Sequence, residues 1–318
     1  MIPPMSPRKL SLQDLNRVLA SLDAPRNGQA LYALLSAFCL AGLMLASAES
    51  ALAKANALSG GLWAAGALVA AFLGLNTTGL LLMDQARGRP VRDLVDAFRA
   101  SLRCAPKVLL CLALMLALVG LGVAALLGLL WAVRLPWVGV PLFALLVPLG
   151  VVFLGLVTFA SVVLVGPLTG PSIWTGHGVL ETLRMLLTQL RRGPLEAAAL
   201  MAAALLVSGL VSAAVSLVVM SGGRAWSLLV VWLTGIDVPA QQLMAGLFGY
   251  GLRSLGAAGA PVAATPLGMA ALVGGGTVFA VALVLPTLVY LRGCCAVFLV
   301  LQDAQNEERA RAGESRLL

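Results

Sequence analysis

The order of hydrophobic and polar positions divides this chain into two alternating kinds of segment. About 20 consecutive apolar residues cross the hydrocarbon of a bilayer as a helix, so long runs without charge predict membrane spans. Shorter segments carry apolar residues at helical spacing and charged residues on the other face, which is typical of helices in a membrane interface. The long runs occupy residues 30–48, 61–83, 108–133, 138–168, 195–219 and 270–290. The chain is therefore predicted to be an all-α polytopic membrane helix bundle with six transmembrane helices.

Amphipathic segments precede the first, third and fifth of these runs, at residues 11–22, 91–104 and 179–192. The second and third belong to longer stretches that align without a gap, so that Gly88 falls on Gly176 and Pro106 on Pro194. Because proline disfavours a helical conformation in the residue before it, Pro106 is expected to mark the turn into the following span.

A weaker copy of this stretch lies near the N-terminus, where residues 19–25 resemble residues 99–106 with one residue deleted. The pattern predicts a single integral membrane domain built from three repeats, each with one amphipathic helix and two spans. Two spans return the chain to the same side, so the copies are expected to be parallel. The predicted repeat units are residues 11–83, 91–168 and 179–301.

Residues 221–269 are the least regular part of the chain and are predicted to form an outer-face insertion. Their two apolar pieces, 225–235 and 243–255, are each too short to cross a bilayer, so we expect them to lie on the outer interface or to dip into it. This insertion is the predicted contact surface for other integral membrane proteins. Residues 302–318 are predicted to form a charged cytoplasmic tail.

Composition supports the membrane interpretation and sets an orientation. Hydrophobic residues make up 60% of the chain and charged residues 11%, whereas about 25% of a soluble domain is charged. The net charge of +8 does not indicate nucleic acid as a partner, because the basic residues lie at the ends of apolar runs. Of 21 basic residues, four fall in loops on one side, which leaves 17 on the other. The positive-inside rule makes that richer side, which holds both termini, cytoplasmic.

The chain offers little material for catalysis. The sole histidine, His177, lies between two glycines, where it is interpreted as a loop residue, with a proton-sensitive group as the alternative. The five cysteines show no metal-ligand spacing, and few carboxylates fall in apolar segments. We therefore predict a protein that is not an enzyme and has no catalytic residue, cofactor or metal site.

The most polar cluster within a span is Asn76, Thr77 and Thr78, in the inner half of the second run. Polar groups inside a membrane mark a solute path in many transporters, so these residues are a candidate intramembrane polar site. The alternative is that they bond to neighbouring helices or to carbonyls four residues back.

Charged residues at the inner ends of spans suggest two further roles. Asp84, Glu196 and Arg292 fall at similar depths, so Arg292 is expected either to pair with one of these carboxylates or to extend to the headgroups. Membrane lipids are the predicted partners of the amphipathic helices. The candidate contacts with anionic lipids are Arg92, Arg99, Arg103, Arg184, Arg191 and Arg192.

A family resemblance follows from the glycine-bearing linkers, the amphipathic helices that end in Leu-Arg before a proline, and the motif PTLVYLRG at residues 286–293. Over roughly residues 11–303 this pattern resembles a broad bacterial group of six-helix inner-membrane proteins, related to the membrane domain of some glycerophosphodiester phosphodiesterases. The resemblance implies a six-helix fold in the bacterial inner membrane and carries no functional residues across. The fused hydrolase is not expected, because His177 is not followed by arginine.

These observations predict a non-catalytic integral inner-membrane protein. Its expected role is that of a structural or accessory component of a membrane complex, or of a lipid-interacting scaffold. The alternative is a small-solute or lipid transporter with a polar site near Asn76.

Overall fold

The computed structural model describes residues 12–134, 139–192, 194–234 and 266–314, and every regular element in these ranges is a helix. The α-helices are α1 Leu12–Leu19, α2 Gly28–Ala53, α3 Ala57–Ala86, α4 Leu94–Ala132, α5 Gly139–Ala160, α6 Gly166–Trp174, α7 Val179–Arg192, α8 Pro194–Thr234 and α9 Pro266–Glu314. A 3₁₀ segment, Ala20–Arg26, joins α1 to α2, and a π-helical segment, Ser161–Val165, joins α5 to α6.

Six helical segments are long and apolar enough to cross a bilayer. They are Gly28–Leu52, Ala57–Ala86, Leu94–Ala132, Gly139–Trp174, Pro194–Val230 and Ala280–Glu307. The first five each contain most or all of one predicted run, and the sixth contains the second half of the run 270–290. An uninterrupted apolar sequence forms a helix in the membrane because a helix satisfies the backbone hydrogen bonds within the segment. The predicted all-α polytopic helix bundle is confirmed.

The predicted turn at Pro106 is wrong. Pro106 lies inside α4, which continues from the amphipathic segment into the span without a break. A proline removes one backbone N–H, and the carbonyl that loses its partner belongs to Leu102, which is exposed near the start of the helix. By contrast, Pro194 is the first residue of α8, a position where its missing N–H has no helical partner to lose.

Two helices extend further than the hydropathy pattern predicts. α8 continues to Thr234 through most of the first apolar piece of the outer insertion, while the second piece, 243–255, lies outside the described residues. α9 passes through Arg292 and on to Glu314, so it includes most of the predicted charged tail. A charge on the helix surface does not break the helix, because the backbone ladder remains intact.

The described residues fall into two compact units. One comprises the described parts of Met1–Leu19, Leu102–Ala204 and Gly293–Leu318. Its buried side chains come chiefly from α6, α7, the start of α8 and the segment of α9 after Gly293, and include Leu168, Leu186, Met201 and Phe298. The most deeply buried apolar part of α9 is therefore the run that follows Arg292.

The other unit comprises the described parts of Ala20–Ser101 and Leu205–Arg292, and it contains the hairpin of α2 and α3. The turn at residues 54–56 contains Ala55 with φ +57° and ends at Asn56, whose side chain accepts a hydrogen bond from the Ser59 N–H. Asn27 caps α2 in the same way by accepting from the Ala30 N–H. Such caps satisfy backbone donors that have no partner within the helix.

Glycines set the closeness of this hairpin. A Cβ atom built on Gly74 would lie 2.1 Å from the Cβ of Ala37, so no side chain fits there without moving the helices apart. Gly60 faces Leu52, and Gly66 faces Met44, in the same antiparallel register. Small residues are a common means of bringing membrane helices together.

Candidate functional site

The polar cluster of α3 is buried, and two of its three side chains form hydrogen bonds within the protein. Asn76, Thr77 and Thr78 are 2%, 3% and 0% exposed. The Asn76 amide donates to the carbonyl of Phe72 at 2.8 Å, and the Thr77 hydroxyl donates to the carbonyl of Leu73 at 2.8 Å. Asn76 and Thr77 therefore form the hydrogen bonds to carbonyls four residues back that the sequence left open as their alternative. Among the described residues, the buried Thr78 hydroxyl has no hydrogen-bond partner.

Thr77 also connects α3 to α4. Its Oγ1 lies 2.9 Å from the Oγ of Ser101, and the Ser101 hydroxyl lies 2.8 Å from the carbonyl of Phe98. Ser101 is fully buried, with Ala97 and Ala105 one turn to either side. Sequence reasoning missed Ser101, although the small residues at a spacing of four were a signal that this face packs closely against a neighbouring helix.

Asp84 and Arg92 form an ion pair across the turn between α3 and α4. Arg92 Nε lies 2.6 Å from one Asp84 carboxylate oxygen, and Nη2 lies 2.8 Å from the other. The side chains are 9% and 35% exposed, respectively. A carboxylate near a helix C-terminus is disfavoured by the helix dipole, so the guanidinium also offsets that unfavourable term.

This pair changes the expected roles of two residues. Arg92, a predicted lipid contact, already has its guanidinium on a carboxylate. Asp84, a predicted partner of Arg292, is bound by both donor groups of Arg92. The pairing of Arg292 with Asp84 or Glu196 stays a prediction.

The turns at Gly88 and Gly176 have the same geometry. Both glycines have positive φ, +64° and +101°. The N–H groups of Arg87 and Gly88 donate to Met83 and Gln85, and those of Thr175 and Gly176 donate to the aligned residues Pro171 and Ile173. Glycine adopts positive φ without the steric penalty of a Cβ, which accounts for its presence at both positions.

Near the second turn, side chains of α6 and α7 also meet. The hydroxyls of Ser172 and Thr182 are 2.9 Å apart, and both residues are fully buried. His177 Nδ1 lies 2.8 Å from the Thr175 hydroxyl oxygen, and the ring stacks obliquely on Phe298 with centroids 6.1 Å apart. His177 thus lies in the loop between α6 and α7, where it packs on an aromatic ring and is hydrogen-bonded.

In the first two amphipathic segments, one face of the helix is buried and the opposite face is exposed. In α1 and the 3₁₀ segment, Val18 and Ser21 are buried, whereas Leu15, Leu19 and Leu22 are exposed. At the start of α4, small residues are buried, and Val95, Phe98 and Leu102 are exposed. Most of the large apolar side chains of these two segments therefore lie on the outer surface of the protein, as in interfacial helices, whereas Leu186 of α7 is buried.

The remaining predicted lipid contacts differ in their surroundings. Arg99 lies 3.9 Å from Asp96, with both side chains about 70% exposed. Arg103 and Arg184 are exposed. The side chains of Arg191 and Arg192 lie outside those that the structure describes.

Two cavities of similar size open in the unit that contains the hairpin. One, of about 500 Å³, lies between α8 and α9 and is lined by Thr277 and otherwise by Ala, Val and Leu side chains. The other, of about 530 Å³, lies between α2 and α3 near their turn, beside Met44 and Trp63. Asn76 lines neither of these two cavities.

Among the side chains described, no group of three or more His, Cys, Asp or Glu residues could hold a metal ion. Comparisons of the chain with protein-family models, with curated proteins and with solved structures find no match.

Proposed function

We propose that this chain is a non-catalytic integral membrane protein that serves as a structural or accessory component of a membrane complex, or as a lipid-interacting scaffold. The observation that carries the proposal is the bonding of two polar side chains of α3. Asn76 and Thr77 bond to the backbone of their own helix, and Thr77 also contacts Ser101 of α4. Polar groups in this arrangement hold helices together and do not present hydrogen-bonding atoms to a solute.

The proposal includes an architecture of three repeats. The matching backbone bonds at Gly88 and Gly176 support the first equivalence. The burial pattern supports the weaker equivalence, between residues 19–25 and 99–106. Ser21 and Ser101 are both fully buried, and the residues that follow them, Leu22 and Leu102, are both about half exposed. Residues that occupy the same position in a repeated unit are expected to have the same burial.

The proposed location is the bacterial inner membrane, with both termini in the cytoplasm. Six apolar helices and the distribution of basic residues support this location. The resemblance to six-helix inner-membrane proteins is part of the same proposal. In this setting the exposed apolar faces of the amphipathic segments rest on the cytoplasmic leaflet.

Thiol labelling tests whether the α3 cluster is closed to water. A Thr78→Cys variant, in detergent or in lipid nanodiscs, is expected to gain no label over wild type from a charged, membrane-impermeant thiol reagent, because position 78 is fully buried. The matched control is Ser50→Cys, at an exposed position near the end of α2, which should gain one label. Intact-mass measurement counts the labels on each variant and on wild type, whose five native cysteines set the background.

Labelling of Thr78→Cys in a folded, monodisperse sample would instead indicate a water-filled path and favour the small-solute or lipid transporter. The accessory role has its own test, the recovery of the tagged chain from native membranes in mild detergent. We expect an integral membrane protein to co-purify at a fixed ratio. Recovery of the chain alone at every detergent concentration would argue against a subunit of a complex.

A further inference from the structure

The segment of α4 from Leu102 to Leu110 has three distinct faces. Ala105 and Val108 are buried. Arg103 and Lys107 are both exposed and lie four residues apart, so they project from the same side of the helix. Within the described ranges neither basic side chain has a carboxylate partner, in contrast to Arg92 on Asp84 and Arg17 on Asp303.

A third face carries large apolar side chains. Leu102 and Leu109 are 48% and 61% exposed, and Leu110, which is 52% exposed, lies two turns after Arg103 on the side of the basic pair. Leu102 and Leu109 are two turns apart and therefore lie one above the other along the helix. An apolar strip thus runs beside the two basic residues and continues in the direction of the membrane span.

The depth of this segment follows from the charge distribution of α4. Lys107 is the last charged residue of the helix, and residues 108–132 are uncharged. At about 1.5 Å per residue, that uncharged part is about 38 Å long, which is enough to cross the roughly 30 Å of hydrocarbon and leaves Lys107 and Arg103 at headgroup level. A guanidinium and an ammonium at that level attract phosphate groups of anionic lipids.

We propose that this segment of α4 is a binding site for an anionic phospholipid. Arg103 and Lys107 hold the phosphate, and an acyl chain lies along Leu109 and Leu110, at the start of the uncharged part of the helix. The exposed leucines favour a lipid over free phosphate, because a soluble anion gains nothing from an adjacent apolar strip. This site depends on the proposed lipid-interacting role. It specifies an anionic phospholipid as the ligand and Arg103 and Lys107 as the residues that bind it.

Native mass spectrometry of the full chain tests the site. The purified protein is mixed with dioleoyl phosphatidylglycerol or with dioleoyl phosphatidylcholine, which have the same acyl chains. We expect wild type to retain phosphatidylglycerol in preference to phosphatidylcholine. The double variant Arg103→Gln/Lys107→Gln should lose at least about tenfold in affinity for phosphatidylglycerol alone, because two headgroup-level charges are removed.

The matched control is Arg17→Gln/Arg26→Gln, which removes the same charge from two arginines that already have carboxylate partners. It should bind phosphatidylglycerol as wild type does. A Leu109→Ala variant should also weaken phosphatidylglycerol retention, and inorganic phosphate in a hundredfold excess should not displace the lipid.

Equal retention by wild type and by Arg103→Gln/Lys107→Gln overturns the site, as does equal retention of the two lipids by wild type. Displacement by inorganic phosphate overturns the lipid assignment and leaves a simple anion site. Labelling at Thr78→Cys and co-purification from membranes do not depend on these variants, so the site and the proposed function can fail separately.

Discussion

Side chains at the start of α2 and at the end of α3 bond to groups that adjacent elements bring within reach. The Asn27 amide donates to the carbonyl of Leu81 at 3.4 Å, and the Gln85 amide donates to the carbonyl of Asp23 at 3.2 Å. Together with the Asp84–Arg92 pair, these bonds join the 3₁₀ segment, the end of α3 and the turn that follows it. Buried polar groups without such partners would destabilise the fold by about 1–3 kcal/mol each.

A double-mutant cycle measures the Asp84–Arg92 pair. With Asp84→Asn, Arg92→Gln and the double variant, we expect a coupling free energy above about 1 kcal/mol, because the carboxylate is largely buried and bound at both oxygens. Thermal unfolding in detergent, monitored by size-exclusion chromatography, measures the stability of wild type and of each variant.

The control cycle uses Asp96→Asn and Arg99→Gln. This pair is 3.9 Å apart and exposed, so its coupling should be only about 0.2–0.5 kcal/mol. Equal coupling in the two cycles would contradict the structural role assigned to Asp84.

At the level of single residues, the sequence identified several structurally important side chains. It did not indicate which groups they contact. Asn76, Thr77 and Asp84 are exceptional within apolar surroundings, and the structure gives each of them a specific bond. Ser101 and Arg92 are not exceptional in their amphipathic segment. The role of Ser101 depends on which face of α4 turns inward, and helical periodicity does not determine that when both faces contain apolar residues. The role of Arg92 depends on the turn before α4, which brings it to Asp84.

The α2–α3 hairpin depends on a glycine register that can be tested directly. Gly74→Ala places a methyl group 2.1 Å from Ala37, so we expect a loss of about 1–3 kcal/mol in stability despite the better helix propensity of alanine. The melting temperature of the purified variant measures this loss.

Gly61→Ala is the matched control, because a Cβ there meets no atom within 4 Å. Its stability should equal or slightly exceed that of wild type. A Gly74→Ala variant as stable as Gly61→Ala would show that the helices do not approach as closely as the hairpin requires.

At the level of the elements, long uninterrupted apolar runs predicted the six spans. Proline and glycine predicted the ends of helices less reliably. Pro194 begins α8, yet Pro106 lies within α4, because the carbonyl freed by proline can be solvated where the helix surface is polar and exposed. Glycine is similarly ambiguous. The sequence does not distinguish Gly74 from Gly61. Only the packing of α2 against α3 shows that a Cβ atom fits at Gly61 and does not fit at Gly74.

For the whole molecule, the predicted topology puts the loop after α2 outside and the turn at Gly88 inside. In intact cells, Ser50→Cys should react with a membrane-impermeant maleimide, while Arg89→Cys should react only after the membrane is permeabilised. Wild type provides the background from native cysteines. The reverse pattern would place both termini outside and contradict the positive-inside assignment.

The close packing of α2 against α3 also bears on how the chain enters the membrane. A turn of three residues leaves these helices little opportunity to separate, and their contacts join residues near in sequence. The pair is therefore suited to leave the insertion machinery as one preassembled hairpin, before the later helices have been synthesised. Its biogenesis would then not wait for the rest of the chain, and the finished hairpin would offer a surface on which later helices assemble.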